Sequence, residues 1–222
     1  MAINPDIFKA YDVRGLYPSE ITEDVFLQLG RAFAAFLGPG TVAVTRDMRV
    51  SSPSLTAAFI EGVTTQGVHV RDGGLAGTDM MYFAVASAGL MGGAQITASH
   101  NPKQYNGCKM VKAEAFPLSG ESGIREMKEM LFTNSLPAPS ATPGTSTPLD
   151  IMAPYIDHVM GFIDPTVIQS FNTVLDAGSG IAGAVAPHLF DRLPCRTTKL
   201  CFEVDGTFPN HEANPLIEEN RQ

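Results

Sequence analysis

Gln95-Ile96-Thr97-Ala98-Ser99-His100-Asn101-Pro102 sets a short strand-like run against a proline that cannot continue a ladder. A hydroxyl, an imidazole and an amide therefore fall together on a loop at a strand end, where chemistry is commonly placed. Downstream, Tyr105-Asn106-Gly107 reads as a turn. Cys108-Lys109-Met110-Val111 then reads as a return path that brings the Lys109 ammonium back beside Ser99. Serine, imidazole and lysine on one loop suit a nucleophile that carries or receives a phosphoryl group. A plain turn, in which Ser and Asn side chains satisfy backbone groups, uses the same residue types. The local sequence leaves both readings open.

On the N-terminal side of this stretch, strands and helices alternate. Residues 22–37 read as a helix: Thr22 caps it, Glu23 and Asp24 favour its start, and Gly38-Pro39 stop it. Val25, Leu29, Ala32, Phe33 and Phe36 form its apolar stripe. Residues 41–45 are a buried-strand run, 53–66 a second helix and 67–71 another strand, with Asp72-Gly73-Gly74 as the following turn. Thr78-Asp79 opens the next helix, and 121–132 reads as one more. Such alternation argues for an α/β layer. Arg46-Asp47-Met48-Arg49 delivers two arginines before the 53–66 helix. They either face an anion at its N-terminus or scaffold the turn by pairing with Asp47.

Phe8-Lys9-Ala10-Tyr11-Asp12-Val13-Arg14-Gly15 alternates apolar and polar residues and stops at a glycine, as a short strand entering a loop does. A phenol and a guanidinium there suit a phosphosugar, because Arg meets phosphate oxygens in a bidentate fashion. An ordinary surface salt bridge between Asp12 and Arg14 accounts for the same pair.

Hydrophobic residues at 44% and charged residues at 17% fit a packed chain rather than a disordered one. The net charge of −8 argues against a nucleic-acid surface, which needs a basic face. A small anionic substrate stays admissible, since a local field can oppose the overall charge. Cys108, Cys195 and Cys201 have no metal spacing and suit a reducing cytosol. No signal peptide is read in the first nine residues. The apolar stretch 82–96 is shorter than the ~20 residues of a membrane span, so it is a core segment.

Residues 134–148 are rich in Pro, Ser and Thr and carry no charge. They read as a linker or long exposed connection, and a domain boundary is placed there. Beyond it, 149–163 is an amphipathic helix with Ile151, Tyr155, Ile156, Val159 and Phe162 on one side. A strand (173–176), the turn Gly178-Ser179-Gly180-Ile181-Ala182-Gly183, a helix to Leu193 and a strand near 197–204 follow. The glycines match the dinucleotide fingerprint Gly-x-Gly-x-x-Gly, with Glu203 placed for a ribose. Against that reading, the charged Asp176 stands where the fingerprint usually has an apolar residue. A hydrolase built on Ser99 and His100 would lack a Gly-x-Ser-x-Gly elbow. His211 has no Cys or His at metal spacing and reads as a loop histidine.

Several of these stretches resemble one family. Thr97 to Pro102 with Tyr105, Asn106, Gly107 and Lys109 is similar to the phosphoserine loop of the α-D-phosphohexomutases. Phe8-Lys9-Ala10-Tyr11-Asp12-Val13-Arg14-Gly15 resembles the N-terminal signature of its phosphomannomutase/phosphoglucomutase form. Arg46 to Ser52, the glycine turn at 178–183 and the 208–215 segment resemble further parts, while Asp79 replaces a proline that is common in the family.

The resemblance implies a three-layer αβα domain I with a mixed sheet over residues 1–148, and the start of a similar domain II over 149–222. It implies exchange of phosphate between the 1- and 6-hydroxyls of a hexose through a phosphoserine and a bisphosphate, as part of cytoplasmic carbohydrate metabolism. Ser99 would hold the phosphate, which in turn binds Mg²⁺; Arg14, His100 and Lys109 would surround it. Tyr11 and Asn101, with Arg14 and Lys109, would bind the sugar phosphate, and a hexose 1,6-bisphosphate would serve as activator. The family's Asp-Gly-Asp-x-Asp-Arg metal loop has no counterpart in the 222 residues. The chain is therefore expected to be the N-terminal portion of a longer enzyme, weakly active or silent alone. The bare edge of its second domain is expected to promote self-association. Mannose or glucose preference is not legible.

Overall fold

The computed structural model describes residues 3–212, 214 and 216–221; Ala213 and Pro215 of the 208–215 segment lie outside the described residues. The elements are β1 (Val13–Leu16), α1 (Glu23–Leu37), β2 (Thr41–Arg46), α2 (Ser52–Thr65), β3 (His69–Leu75), α3 (Thr78–Ser87) and β4 (Gly92–Ile96). They continue with β5 (Tyr105–Lys112), β6 (Phe116–Pro117), α4 (Ile124–Phe132), β7 (Ser146–Pro148) and α5 (Met152–Met160). A second unit adds β8 (Asn172–Asp176), α6 (Ala182–Phe190) and β9 (Arg196–Leu200).

The main sheet runs β1-β5-β4-β2-β3-β7, with β6 beside β5. Its β4, β2, β3 and β7 are parallel, and β5 is antiparallel to both β4 and β1. Alternation along the strands makes three layers. Val42, Val44, Ala94, Ile96, Cys108 and Met110 face a core shared with α1, α2 and α4. Ala43 and Val111, one residue out of phase, face the other core with α3 and Ile151. This is the expected αβα sandwich with a mixed sheet.

Helices α1 and α2 pack through glycines. A Cβ on Gly30 would stand 2.2 Å from the Phe59 carbonyl oxygen, and one on Gly62 would stand 2.1 Å from that of Leu27. Phe26 and Phe33 close on Phe59 on either side, with centroids 6.4 and 5.7 Å away. Thr22 caps α1 as expected, its Oγ1 accepting the Val25 N–H at 3.2 Å.

Several sequence expectations change. The strand expected over Phe8 to Gly15 is confined to β1, with only a bridge from Phe8 to Val13 before it. Asp72-Gly73-Gly74 is no turn: β3 runs through it to Leu75, and Gly74 (φ 63) takes up a register shift against β2. Tyr105-Asn106-Gly107 lies inside β5, because β1 crosses it so closely that a Cβ on Gly107 would meet the Val13 carbonyl oxygen at 2.1 Å. Helix α4 begins three residues later than expected, at Ile124, after the N-cap Gly123 (φ 115), whose N–H donates to Glu126 at 2.9 Å. Helix α5 is shorter than 149–163, and Phe162 lies beyond it, 75% exposed. Strand β9 stops at Leu200, before Glu203.

The 134–148 stretch is exposed yet fastened. Ser140 and Gly144 N–H groups donate to Thr65 and Thr64 carbonyls, and its last residues pair with β3 as β7. The chain beyond β7 is joined to the main sheet's layers through Tyr155 of α5, whose hydroxyl donates to Asp79, and through Gly206 against the Met48 backbone. Burial, then Asp79, pushes the Tyr155 phenol well above its usual range.

Gly62→Ala is expected to destabilise the fold by about 1–3 kcal/mol, because the helices must separate to admit one methyl. Urea unfolding with an unchanged midpoint would show that α1 and α2 yield freely there.

Candidate functional site

Arg49 is buried without exposed surface, on the turn between β2 and α2. Its Nε donates to Asp47 Oδ2 at 3.2 Å. Its two terminal nitrogens donate to four carbonyls of the Ser99 loop: Ser99 (2.9 Å), Asn101 (2.6 Å), Pro102 (2.8 Å) and Tyr105 (2.9 Å). Asp47 is held in turn by the Arg49 N–H at 3.0 Å and the Ser52 hydroxyl at 2.6 Å. The buried Asn106 donates to Ser51 and Ser52, tying β5 to the start of α2. Burial pulls the Arg49 pKa below its ordinary value, and Asp47 opposes that pull. Of the two sequence readings of Arg49, the scaffold is the one observed.

The loop so clamped puts Ser99 and His100 at the surface. Ser99 has φ 56, a left-handed backbone that is uncommon for a non-glycine residue and is found at functional sites. Its N–H donates to Thr97 Oγ1 at 2.9 Å, and its Oγ stands 3.4 Å from His100 Nδ1. Asn101 turns its amide inward to the Ala98 carbonyl at 2.9 Å.

Beside the loop lies an open cleft of about 680 Å³, lined by Tyr11, Arg14, Asn101 and Lys109 among others. The β1–β5 register builds it. Val13 opposes Cys108 and Arg14 opposes Gly107, so Asp12, Arg14 and Lys109 fall on one face as diagonal neighbours. Asp12, 6% exposed, pairs with Arg14 and lies 3.6 Å from Lys109 Nζ. Arg14 Nε is buried without a hydrogen-bond partner among the described residues, while the rest of the side chain, 23% exposed, borders the cleft. Lys9, Arg14 and Lys109 outnumber Asp12 and Glu20 in the lining, which makes the cleft locally positive in a chain of net charge −8. Tyr11 is 74% exposed at its rim. Burial drives the Cys108 thiol well above its usual pKa, with Asp12 adding to the shift, so the sulfur beneath Lys109 is an inert core group.

Four of the six sequence-predicted residues thus share one cleft, and Ser99 and His100 sit on the adjoining loop rather than in its lining. The Lys109 ammonium closes on Asp12; among the described residues it makes no hydrogen bond or ion pair to Ser99. Sequence reasoning gave Asp12 only a surface salt bridge. Its role as the bridge between two cations depends on strand register, which a single octapeptide does not carry. At the glycine turn the backbone donors are taken by the chain itself. The Gly178 N–H donates to Asp176 Oδ1, the Ser179 N–H to the Cys201 carbonyl and the Gly180 N–H to the Ala177 carbonyl. The Asp205 N–H donates to the Ser179 carbonyl, and Asn210 donates to the Ser179 hydroxyl. Glu203 stands three residues beyond β9 rather than at its end.

Comparison with known proteins identifies the family. Residues 5–136 match the model of phosphoglucomutase/phosphomannomutase, alpha/beta/alpha domain I. The chain belongs to the phosphoglucomutase/phosphomannomutase family. Residues 153–222 match that family's alpha/beta/alpha domain II. A phosphomannomutase of Escherichia coli is 39% identical over 222 residues, covering 97% of this chain and 49% of the relative. Phosphohexose mutases of Xanthomonas campestris are 37% identical over 214 residues, covering 96% and 48%. The crystal structure of a family protein from Burkholderia thailandensis superposes with a TM-score of 0.90 at 33% identity, covering all of this chain and 49% of that one. The chain spans about half the length of the curated relatives it matches.

Arg49→Ala is expected to cost about 3–5 kcal/mol, since it strands Asp47 and removes the donors of four carbonyls. Arg49→Lys should recover only part of this, lacking the planar fork. Urea unfolding and protease cleavage within 97–105 measure both; a wild-type midpoint for the lysine variant would mean that charge alone holds the loop.

Proposed function

We propose that this chain carries the phosphoserine centre of a phosphohexomutase. The observation that supports it most is Ser99 itself: an exposed hydroxyl on a left-handed residue, its loop clamped from behind, beside a locally positive cleft. A phosphoryl group on Ser99 Oγ passes to the free hydroxyl of a hexose 1- or 6-phosphate. The P–O bond to serine breaks, the P–O bond to the sugar forms, the sugar hydroxyl loses its proton and the serine oxygen gains one. The bisphosphate then returns its other phosphate to Ser99. Arg14 and Lys109 offset charge on the phosphate oxygens. His100, 3.4 Å from Ser99 Oγ, is placed to hold the proton. Tyr11 and Asn101 border the sugar's position, and a hexose 1,6-bisphosphate loads Ser99 at the outset.

Mg²⁺ would supply further charge neutralisation on the phosphate. The described residues do not fit that ion at Ser99: Asp12 is engaged by Arg14 and Lys109, and Asp47 by Arg49. No other carboxylate bonds the loop's side chains among them. The domain units in this reading are 1–148 and 149–222, and the site of action is cytoplasmic; no helix among the described residues is long and apolar enough to cross a membrane. The β8–β9 sheet leaves Val174 and Leu200 exposed at 66% and 45%, which suits association through that edge.

A coupled assay with mannose 1-phosphate and glucose 1-phosphate, Mg²⁺ and the bisphosphate tests the activity, and peptide mass spectrometry reads the loop. One phosphate on Ser99, absent in Ser99→Ala, is expected whatever the turnover. A phosphate elsewhere, or none, counts against the reading. Phosphorylation without turnover marks a chain that is loaded yet silent.

A further inference from the structure

A second set of chemistry-bearing side chains converges outside the cleft. Asp176 ends β8, Cys201 follows β9 by one residue, and His211 comes from the loop beyond it. One donor atom from each lies within 4.8 Å of the other two. We propose that Asp176, Cys201 and His211 form a binding site for a thiophilic divalent cation, with Zn²⁺ the ion that the donor set selects.

The hydrogen bonds around the three already have the form of a second shell. His211 Nδ1 lies 3.0 Å from the Glu212 carbonyl; a carbonyl only accepts, so Nδ1 carries the proton. Nε2 is thereby aimed at Asp176 Oδ2, 3.1 Å away. Orientation of a ligand imidazole by a carbonyl on its far nitrogen is the usual arrangement at metal centres. Asp176 Oδ1 accepts the Gly178 N–H at 2.8 Å, which fixes its carboxylate and leaves Oδ2 for the site.

In the metal-free chain His211 Nε2 and Asp176 Oδ2 form an ion pair whenever the imidazole carries its second proton. The Glu212 carbonyl, with Asp176 adding to it, raises the imidazole pKa, and the Gly178 N–H, followed by His211, lowers that of Asp176. The Cys201 thiol meets the same carboxylate through a side-chain hydrogen bond, so all three side chains converge on Asp176. Burial, then the Asp176 charge and that hydrogen bond, raise the Cys201 pKa. A cation reverses that penalty by stabilising the thiolate.

Sulfur, imidazole nitrogen and carboxylate oxygen together match Zn²⁺ or Co²⁺, whereas Mg²⁺ takes oxygen donors. Bond lengths of about 2.0–2.3 Å put tetrahedral donors somewhat closer than the observed envelope, a gap closed by small rotations of part-exposed side chains. Three protein donors leave the fourth position to water. The ion would fasten the 201–212 loop to the end of β8. That loop carries Phe208, whose ring lies 5.6 Å from the Arg49 guanidinium, and Thr207 and Glu212, which face Asn101 and Lys103 across a small cleft. Occupancy therefore braces the surface behind the Ser99 loop, whether or not the chain turns over hexose phosphates.

Co²⁺ titration of the chelator-treated, reduced 222-residue chain tests the site. One equivalent should raise a near-ultraviolet thiolate-to-cobalt band that Zn²⁺ abolishes by displacement and a large excess of Mg²⁺ leaves intact. Cys201→Ser should remove the band and His211→Ala should weaken binding about tenfold or more, since loss of outer-shell partners already costs that much. Cys195→Ser should change nothing. Hydrogen exchange on the wild-type chain gives a reading that needs no variant: Zn²⁺ should slow exchange in 201–212. No band, a band that survives Cys201→Ser, displacement by Mg²⁺, or unchanged exchange overturns the proposal.

Discussion

A guanidinium with no exposed surface sets the shape of the Ser99 loop. Backbone carbonyls on a tight, irregular loop have no ladder to pair with, and a buried unpaired acceptor is costly. Arg49 meets four of them from a single rigid fork. Its own charge is tolerated in the interior because Asp47 neutralises it and is itself fixed by the start of α2. Strand β2 ends, α2 begins and the hairpin between β4 and β5 closes around this one contact. The left-handed Ser99 stands on it.

The cleft follows from a different constraint, the insertion of one antiparallel strand into a parallel sheet. Because β5 runs back alongside both β4 and β1, residues far apart in sequence reach the same edge of the sheet. Arg14 and Lys109 then crowd together, and Asp12 makes their proximity tolerable. A net negative protein thereby presents a small positive recess suited to a phosphate.

Much of this was legible beforehand. The capping Thr22, the apolar stripe of α1 and the alternation of strands with helices all follow local rules, and the fold obeys them. The proline-terminated loop at Ser99 was visible for the same reason. Errors fell where tertiary contact overrides local signal. Asn106-Gly107 has the composition of a turn, but its glycine is needed for the close passage of β1, and its asparagine is buried against Ser51 and Ser52. Gly73-Gly74 likewise serves a bulge in a strand. The second set of donors at Asp176, Cys201 and His211 has no sequence spacing, since three separate segments supply it.

The β1–β5 register has a consequence for how such a chain can vary. Cys108 and Lys109 are adjacent and point to opposite sides of the pleat, the thiol into the core and the ammonium into the recess. A single-residue insertion within β5 would exchange them, placing a charge among Val44, Ile96 and Met110 and a sulfur at the mouth of the site. Length drift in this hairpin is consequently confined to the exposed 99–104 segment or to steps of two. The strand behaves as a two-phase reading frame, and Lys109 faces the recess in only one phase.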